Sequence, residues 1–170
     1  MIKQDISENR AKFIYLGIGS NLGKRKYNIE KAKFRLIQNK IKIIQSSNYY
    51  ESKSWPNPKH PKYLNIILKI LTDYSPLRLL QICKSIEKEL GRKKSSKNFP
   101  RICDIDIIDY NKKRSTKGIF LPHPRMHKRN FVLLPLFELD KNWKHPALKR
   151  DIKTFLSLLT SRDIRTIKQI

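Results

Sequence analysis

A single domain of mixed α and β structure is what this sequence predicts, and two observations carry the prediction. Short apolar runs with strand-like alternation are interleaved with segments whose apolar residues recur at helical spacing. No internal repeat and no break in composition divides the 170 residues, a length that suffices to bury close to ~70% of the unfolded surface in one core.

Residues 13–18 read as a first strand that closes on Gly17-Ile-Gly-Ser-Asn-Leu-Gly23. A helix over 27–38 follows, with Ile29, Ala32 and Leu36 on one face. These glycines fit neither a dinucleotide fingerprint nor a P-loop, because the spacing is one residue too long and no Lys-Ser/Thr ending is present; a tight turn is the expected use. Residues 41–51 predict a second strand, followed by a proline-punctuated loop over 52–61. Over 63–71 the alternation is strict: Leu64, Ile66, Leu68 and Ile70 form the core face, and Tyr63, Asn65, Ile67 and Lys69 share the other. Ser75-Pro76 supplies an N-cap and a proline at the first helical position, Gly91 supplies the stop, and Leu79 or Leu80, Cys83, Ile86 and Leu90 are the buried residues between them. A basic polar loop over 92–98 leads into a further strand. Beyond it come a turn over 111–118, a segment over 129–138 that Pro135 should kink or divide, and a closing helix over 152–159 ending in an edge strand or tail.

The strand after the basic loop holds the chemistry. Asp104 and Asp106 are two residues apart, so their side chains share one face with Cα atoms roughly 7 Å apart, while Cys103, Ile105 and Ile107 face the other way. Magnesium favours such a pair, because it binds through one or two carboxylates and keeps water and phosphate oxygens as its other ligands. Spacing alone leaves a half-buried strand with solvated acids equally open.

Composition narrows the class of protein. The 38 Lys and Arg against 14 Asp and Glu give a net charge of +24, which attracts polyanions of any kind. Abundant Ile, Asn and Lys together suggest that much of this charge is spread by base composition and does not form one binding face. Residues 1–12 are polar and of mixed charge, unlike a secretory or transit signal, and the longest apolar run, 131–137, is too short to span a bilayer. Cys83 and Cys103 lack metal-ligand spacing and read as core residues of a reducing compartment, so cytoplasmic residence is expected. His123 and His127 are four apart, yet Pro122 and Pro124 argue against the helix that a zinc pair would need.

Separated pieces of the chain coincide in order and spacing with one family. Gly19-Ser-Asn-Leu-Gly23, Tyr63-Leu-Asn65, Pro100-Arg-Ile-Cys-Asp-Ile-Asp106, Leu121-Pro-His-Pro124, Arg129-Asn-Phe131 and Pro135-Leu-Phe-Glu138 resemble the 6-hydroxymethyl-7,8-dihydropterin pyrophosphokinases of folate biosynthesis. The resemblance covers about residues 15–138. It implies a ferredoxin-like α+β fold, with a central, mostly antiparallel sheet flanked by helices in a single domain. The implied reaction is transfer of diphosphate from ATP to the pterin with release of AMP. Residue by residue, the match makes Asp104 and Asp106 the ligands of two Mg²⁺ ions and groups them with Arg92 and Arg101 as catalytic. Ser52, Trp55, Tyr63, Asn65 and Phe131 correspond to pterin-binding positions. Lys84, Glu87, Arg92, Arg101, Ile107, His123 and Arg129 correspond to positions around ATP. The partners implied are small molecules, with no specific nucleic acid, no membrane and a monomeric chain. Asn98 and Phe99 depart from the pattern, since a small residue usually precedes the motif's proline and an aromatic the position before it; Phe99 is expected to swing in as the missing aromatic. Ser52 stands where the family has a pocket threonine.

Two other classes compete. A small basic RNA-binding module suits the charge, but it needs stacking aromatics where this chain has Asp-Ile-Asp. A phosphoryl or nucleotidyl transferase of other specificity would share Asp104 and Asp106 without requiring Tyr63, Asn65 and Phe131 together.

Overall fold

The computed structural model describes residues 13–54, 56–92 and 99–170. Trp55, Asn98 and most of the basic loop therefore lie outside the described residues. Six strands pair throughout in antiparallel fashion: β1 (Ile14–Ser20), β2 (Lys42–Ser46), β3 (Tyr50–Ser52), β4 (Tyr63–Leu71), β5 (Asp104–Tyr110) and β6 (Ile167–Gln169). The order across the sheet is β5-β1-β4-β3-β6, with β2 also paired to β4. Helices α1 (Arg25–Gln38) and α2 (Pro76–Glu89) connect strands, and α3 (Asn130–Leu139), α4 (Ile152–Ser157) and α5 (Ser161–Arg165) follow β5.

Local chemistry explains the boundaries. The Ser75 side chain accepts from Arg78 N–H, Pro76 opens α2, and Gly91 stands just past its end with φ +98°. Helix α1 begins two residues before the expected start and buries Ile29, Ala32 and Leu36 as its pattern requires. The predicted second strand is divided. Between β2 and β3, Ser47 continues the pairing to β4 with its side chain, its Oγ accepting from Ile67 N–H at 2.9 Å. Pro135 lies inside one helix, α3, and a short 3-10 turn at Met126–Lys128 precedes it.

Strand alternation sorts the residues into two layers. Ile14, Leu16 and Ile18 of β1, Leu64, Ile66, Leu68 and Ile70 of β4, and Ile105 and Ile107 of β5 pack with α1 and α2. Cys83 and Cys103 are free thiols in this layer. On the opposite face Tyr15, Ile67 and Ile108 pack with α3, α4 and Trp143. Trp143 Nε1 donates to the buried Asp109 carboxylate at 2.8 Å, which anchors the chain after α3 under the sheet. Strand β6 covers the edge of β3, so the closing segment ends as a sheet edge. No helix among the described residues is long and apolar enough to cross a membrane.

Candidate active site

The second face is only partly filled, and its open half is the site. Gly17 and Gly19 belong to β1 and not to the turn that their spacing suggested. In the antiparallel register Gly19 lies between Asn65 and Asp104, and Gly17 between Ile67 and Asp106. A Cβ on Gly19 would come 2.9 Å from Asn65 Oδ1 and 3.2 Å from the Tyr63 ring. The missing side chains thus leave room for Tyr63 and Asn65 to lie over β1, within a cavity of about 290 Å³.

At one end of this cavity the acids sit among cations. Asp104 Oδ1 accepts from Arg92 Nη1 at 3.0 Å and Arg101 Nη1 at 3.1 Å. Asp106 Oδ2 faces His123 Nε2 and Arg129 Nη1, each at 3.8 Å. Burial opposes ionisation of both carboxyls, but Arg101, then Lys84 and Arg92, hold Asp104 below the usual carboxylate range. Asp106 is pushed up to about 6, first by burial and then by the neighbouring Asp104. Burial, with Arg129 and Arg125 nearby, lowers His123 to about 4 and so keeps the ring neutral at pH 7. Arg125 N–H donates to His123 Nδ1 at 3.3 Å, which leaves Nε2 to carry the ring proton toward Asp106.

At the other end, Tyr63, Asn65 and Phe131 line the cavity together with Ser52. Ser52 is the last residue of β3, not a loop residue, and it is buried; Asn65 Nδ2 donates to its Oγ at 3.0 Å. The Arg129 guanidinium lies 5.5 Å from the centre of the Phe131 ring, so one cation touches both ends of the cavity.

Two residues expected at the nucleotide are placed elsewhere. The Ile107 side chain packs in the core on the far face of the sheet, because an odd position on β5 alternates away from the acids. Glu87 is fully buried beneath the site: its Oε1 accepts from Ile105 N–H and Lys84 Nζ, each at 2.7 Å, and its other oxygen pairs with Arg92. Because β5 is an edge strand, this carboxylate satisfies an otherwise unpaired donor and at the same time steers Arg92 toward Asp104. Phe99 is half-exposed on the rim, its ring 5.8 Å from that of His60, and is not among the residues lining the cavity.

Three contributors were not singled out beforehand. Lys53 and Arg125 line the cavity. Asn21 is buried and joins three segments: its Oδ1 accepts from Arg101 N–H at 2.7 Å, its N–H donates to Arg101 C=O at 3.2 Å, and its Nδ2 donates to Pro61 C=O at 3.1 Å. The only signal for it was its place in the glycine segment.

A ferredoxin-like sheet that presents two carboxylates ringed by arginines beside an aromatic and amide pocket defines a phosphate-handling enzyme domain. The family model for 7,8-dihydro-6-hydroxymethylpterin-pyrophosphokinase (HPPK) matches residues 15–141, and the chain belongs to this family of transferases in folate biosynthesis. It is 41% identical over 143 residues to the 2-amino-4-hydroxy-6-hydroxymethyldihydropteridine pyrophosphokinase of Aquifex aeolicus, covering 84% of this chain and 89% of that one. It is 34% identical to a folic acid synthesis protein of Pneumocystis carinii, covering 91% of this chain but 21% of that much longer protein. The wild-type HPPK-DHPS of Plasmodium falciparum, solved with pterin and p-hydroxybenzoate, shares the fold at a TM-score of 0.72 and 17% identity; the likeness spans 96% of this chain and 47% of that one.

Proposed function

We propose that this chain transfers the terminal diphosphate of ATP to 6-hydroxymethyl-7,8-dihydropterin and releases AMP. One observation carries the reading: the acid–arginine cluster and the Tyr63–Asn65–Phe131 group line a single cavity. A heterocycle between Tyr63 and Phe131, read at its edge by Asn65 and Ser52, would direct its hydroxymethyl group toward the phosphates held by the cations.

The pterin oxygen attacks the β-phosphorus in line with the departing AMP oxygen, so the protein's work is positioning and neutralisation of charge. Arg92, Arg101 and Arg129 now rest on the two acids. When a nucleotide enters, their forks can transfer to phosphate oxygens, for which planar guanidinium is the apt donor. Lys84 lines the same cavity and adds a point charge, and neutral His123 offers an N–H without adding one. Glu87 holds Arg92 from beneath. Ile107 and Glu87 thus have no side-chain contact with substrate in this reading, and Trp55 lies outside the described residues.

The donor set fits magnesium. Among the described residues no group of three or more His, Cys, Asp or Glu side chains forms a complete cage, and Asp104 with Asp106 is the partial, oxygen-only set that magnesium prefers beside phosphate. Burial and then the neighbouring Asp104 raise Asp106, and a bound cation would relieve the repulsion between the two acids. Asp104 and Asp106 would hold the ions, which when bound supply Lewis-acid neutralisation of the phosphate charge. We also place the chain in a reducing cytoplasm as a monomer; the two free, buried cysteines support the compartment.

AMP release from ATP, followed with and without magnesium and with and without the dihydropterin, tests the reading. Release that requires both is the expected result, and release that ignores the pterin would refute it.

A further inference from the structure

Residues 142–170 lie beyond the matched family model, yet they make contacts with both walls of the cavity. We infer that Thr166 is a positioning residue that fixes the distance between those walls; the inference rests on the pterin reading of the cavity. Thr166 is the C-cap of α5, immediately before β6. Its carbonyl accepts from Lys53 N–H at 3.2 Å, one residue past Ser52, and β6 continues the join by pairing Ile167 with Ser52. Ser52 in turn accepts from Asn65. This side of Thr166 therefore holds the wall that reads the heterocycle's edge.

The Thr166 hydroxyl reaches the opposite wall. Its Oγ1 donates to Asp163 C=O at 2.8 Å and accepts from Asn130 Nδ2 at 3.1 Å. Asn130 Nδ2 also donates to Asp163 C=O at 2.6 Å, while Asn130 Oδ1 accepts from Phe131 N–H at 2.7 Å. Both ends of the Asn130 amide are thus committed, and the backbone of Phe131 is coupled through Asn130 and Thr166 to Ser52 and Asn65. A second tie joins β3 to α3, from Tyr50 Oη to Glu138 Oε2 at 2.9 Å. That tie holds the far end of α3 at Glu138, two turns along the helix from Phe131 at its start. The bonds among Thr166, Asn130 and Asp163 lie at the end that carries Phe131. A capping box between Thr160 and Asp163 makes α5 a firm base for it.

Thr166 touches neither nucleotide-side arginine nor acid in these contacts, so its loss should separate the two substrates. Thr166→Val keeps the side-chain shape and removes the hydroxyl. In steady-state assays of the full chain, the expected effect is a rise of about three- to tenfold in KM for the dihydropterin, the scale of one lost hydrogen bond, with KM for ATP unchanged. Thr166→Ser, which keeps the hydroxyl, should restore the wild-type value. Asn130→Asp keeps the acceptor to Phe131 N–H but loses the donor to Thr166 and Asp163, and it should reproduce the same split if Thr166→Val does not fold. Dihydropterin titration in the presence of a non-hydrolysable ATP analogue provides the matching affinity. A dihydropterin KM within twofold of wild type in a folded variant, or equal rises for both substrates that serine does not rescue, overturns the positioning role alone. A wild-type enzyme whose AMP release ignores the pterin would instead overturn the functional reading and this role with it.

Discussion

The two faces of one sheet follow opposite rules. On β1 the side chains toward α1 and α2 are Ile14, Leu16 and Ile18, all buried, whereas the alternate positions are Tyr15, Gly17 and Gly19. On β5 Ile105 and Ile107 face Asp104 and Asp106 across the backbone. The first face is filled by buried apolar side chains under α1 and α2. The second is packed only under α3 and α4, and then gives way to glycine, amide and acid. Period-two alternation lets each strand do both, so the rigid apolar layer holds a charged layer one residue away. Asp106, whose proton affinity burial and then Asp104 raise, persists in this place because the backbone carrying it is fixed from behind.

The comparison makes stability and catalysis separable. Asp106→Ala removes a charge on the open face and should lower magnesium-dependent turnover by about three orders of magnitude or more while the melting temperature holds or rises slightly. Near-normal AMP release by that variant would remove the acid pair from the chemistry. Leu16→Ala, at the adjoining β1 position on the closed face, should cost about 2–5 kcal/mol of unfolding free energy in a urea titration, with both KM values unchanged for the folded fraction. If the kinetics of Leu16→Ala change as much as its stability does, the two faces are not independent.

Gly19→Ala probes the boundary. Its new methyl group would press on the Asn65 carboxamide and the Tyr63 ring, neither of which can retreat far from β4. Overpacking of this kind costs about 1–3 kcal/mol, and here we expect it to appear mainly as a roughly tenfold weaker dihydropterin affinity. An unchanged affinity in a fluorescence titration would show that the close approach of Asn65 to β1 is not needed for recognition.

What was legible beforehand follows the same division. The closed face announced itself, because Leu64, Ile66, Leu68 and Ile70 alternate without interruption and Ser75-Pro76 with Gly91 brackets α2. Asp104 and Asp106 were visible for the opposite reason, as acids in an isoleucine run. Residues whose meaning depends on register were not visible. Gly17 and Gly19 look like turn residues until Asn65 and Asp106 are set beside them. Glu87 was expected beside ATP through the resemblance, and its place beneath the site shows only when the edge donor of Ile105 is found against it. Thr166 comes beside Ser52 only when β6 pairs with β3, a contact between residues more than a hundred positions apart that no local pattern encodes.

The smallest expected effect lies at the rim, where neither face's rule applies. Phe99 replaces the small residue usual before the motif's proline, and an inward swing to serve as a cavity wall was one expectation for it. In the structure Phe99 is 51% exposed and its ring lies 5.8 Å from that of His60. A partly solvated ring pair of this sort contributes little, so Phe99→Ala should change unfolding free energy by no more than about 0.5 kcal/mol. Its dihydropterin affinity should stay within about twofold of wild type, because the recognising groups Tyr63, Asn65 and Phe131 keep their own supports. A tenfold loss of dihydropterin affinity in Phe99→Ala, with ATP affinity intact, would mean that the ring does leave His60 when the pterin binds; the boundary between the two faces would then extend to the loop before Arg101.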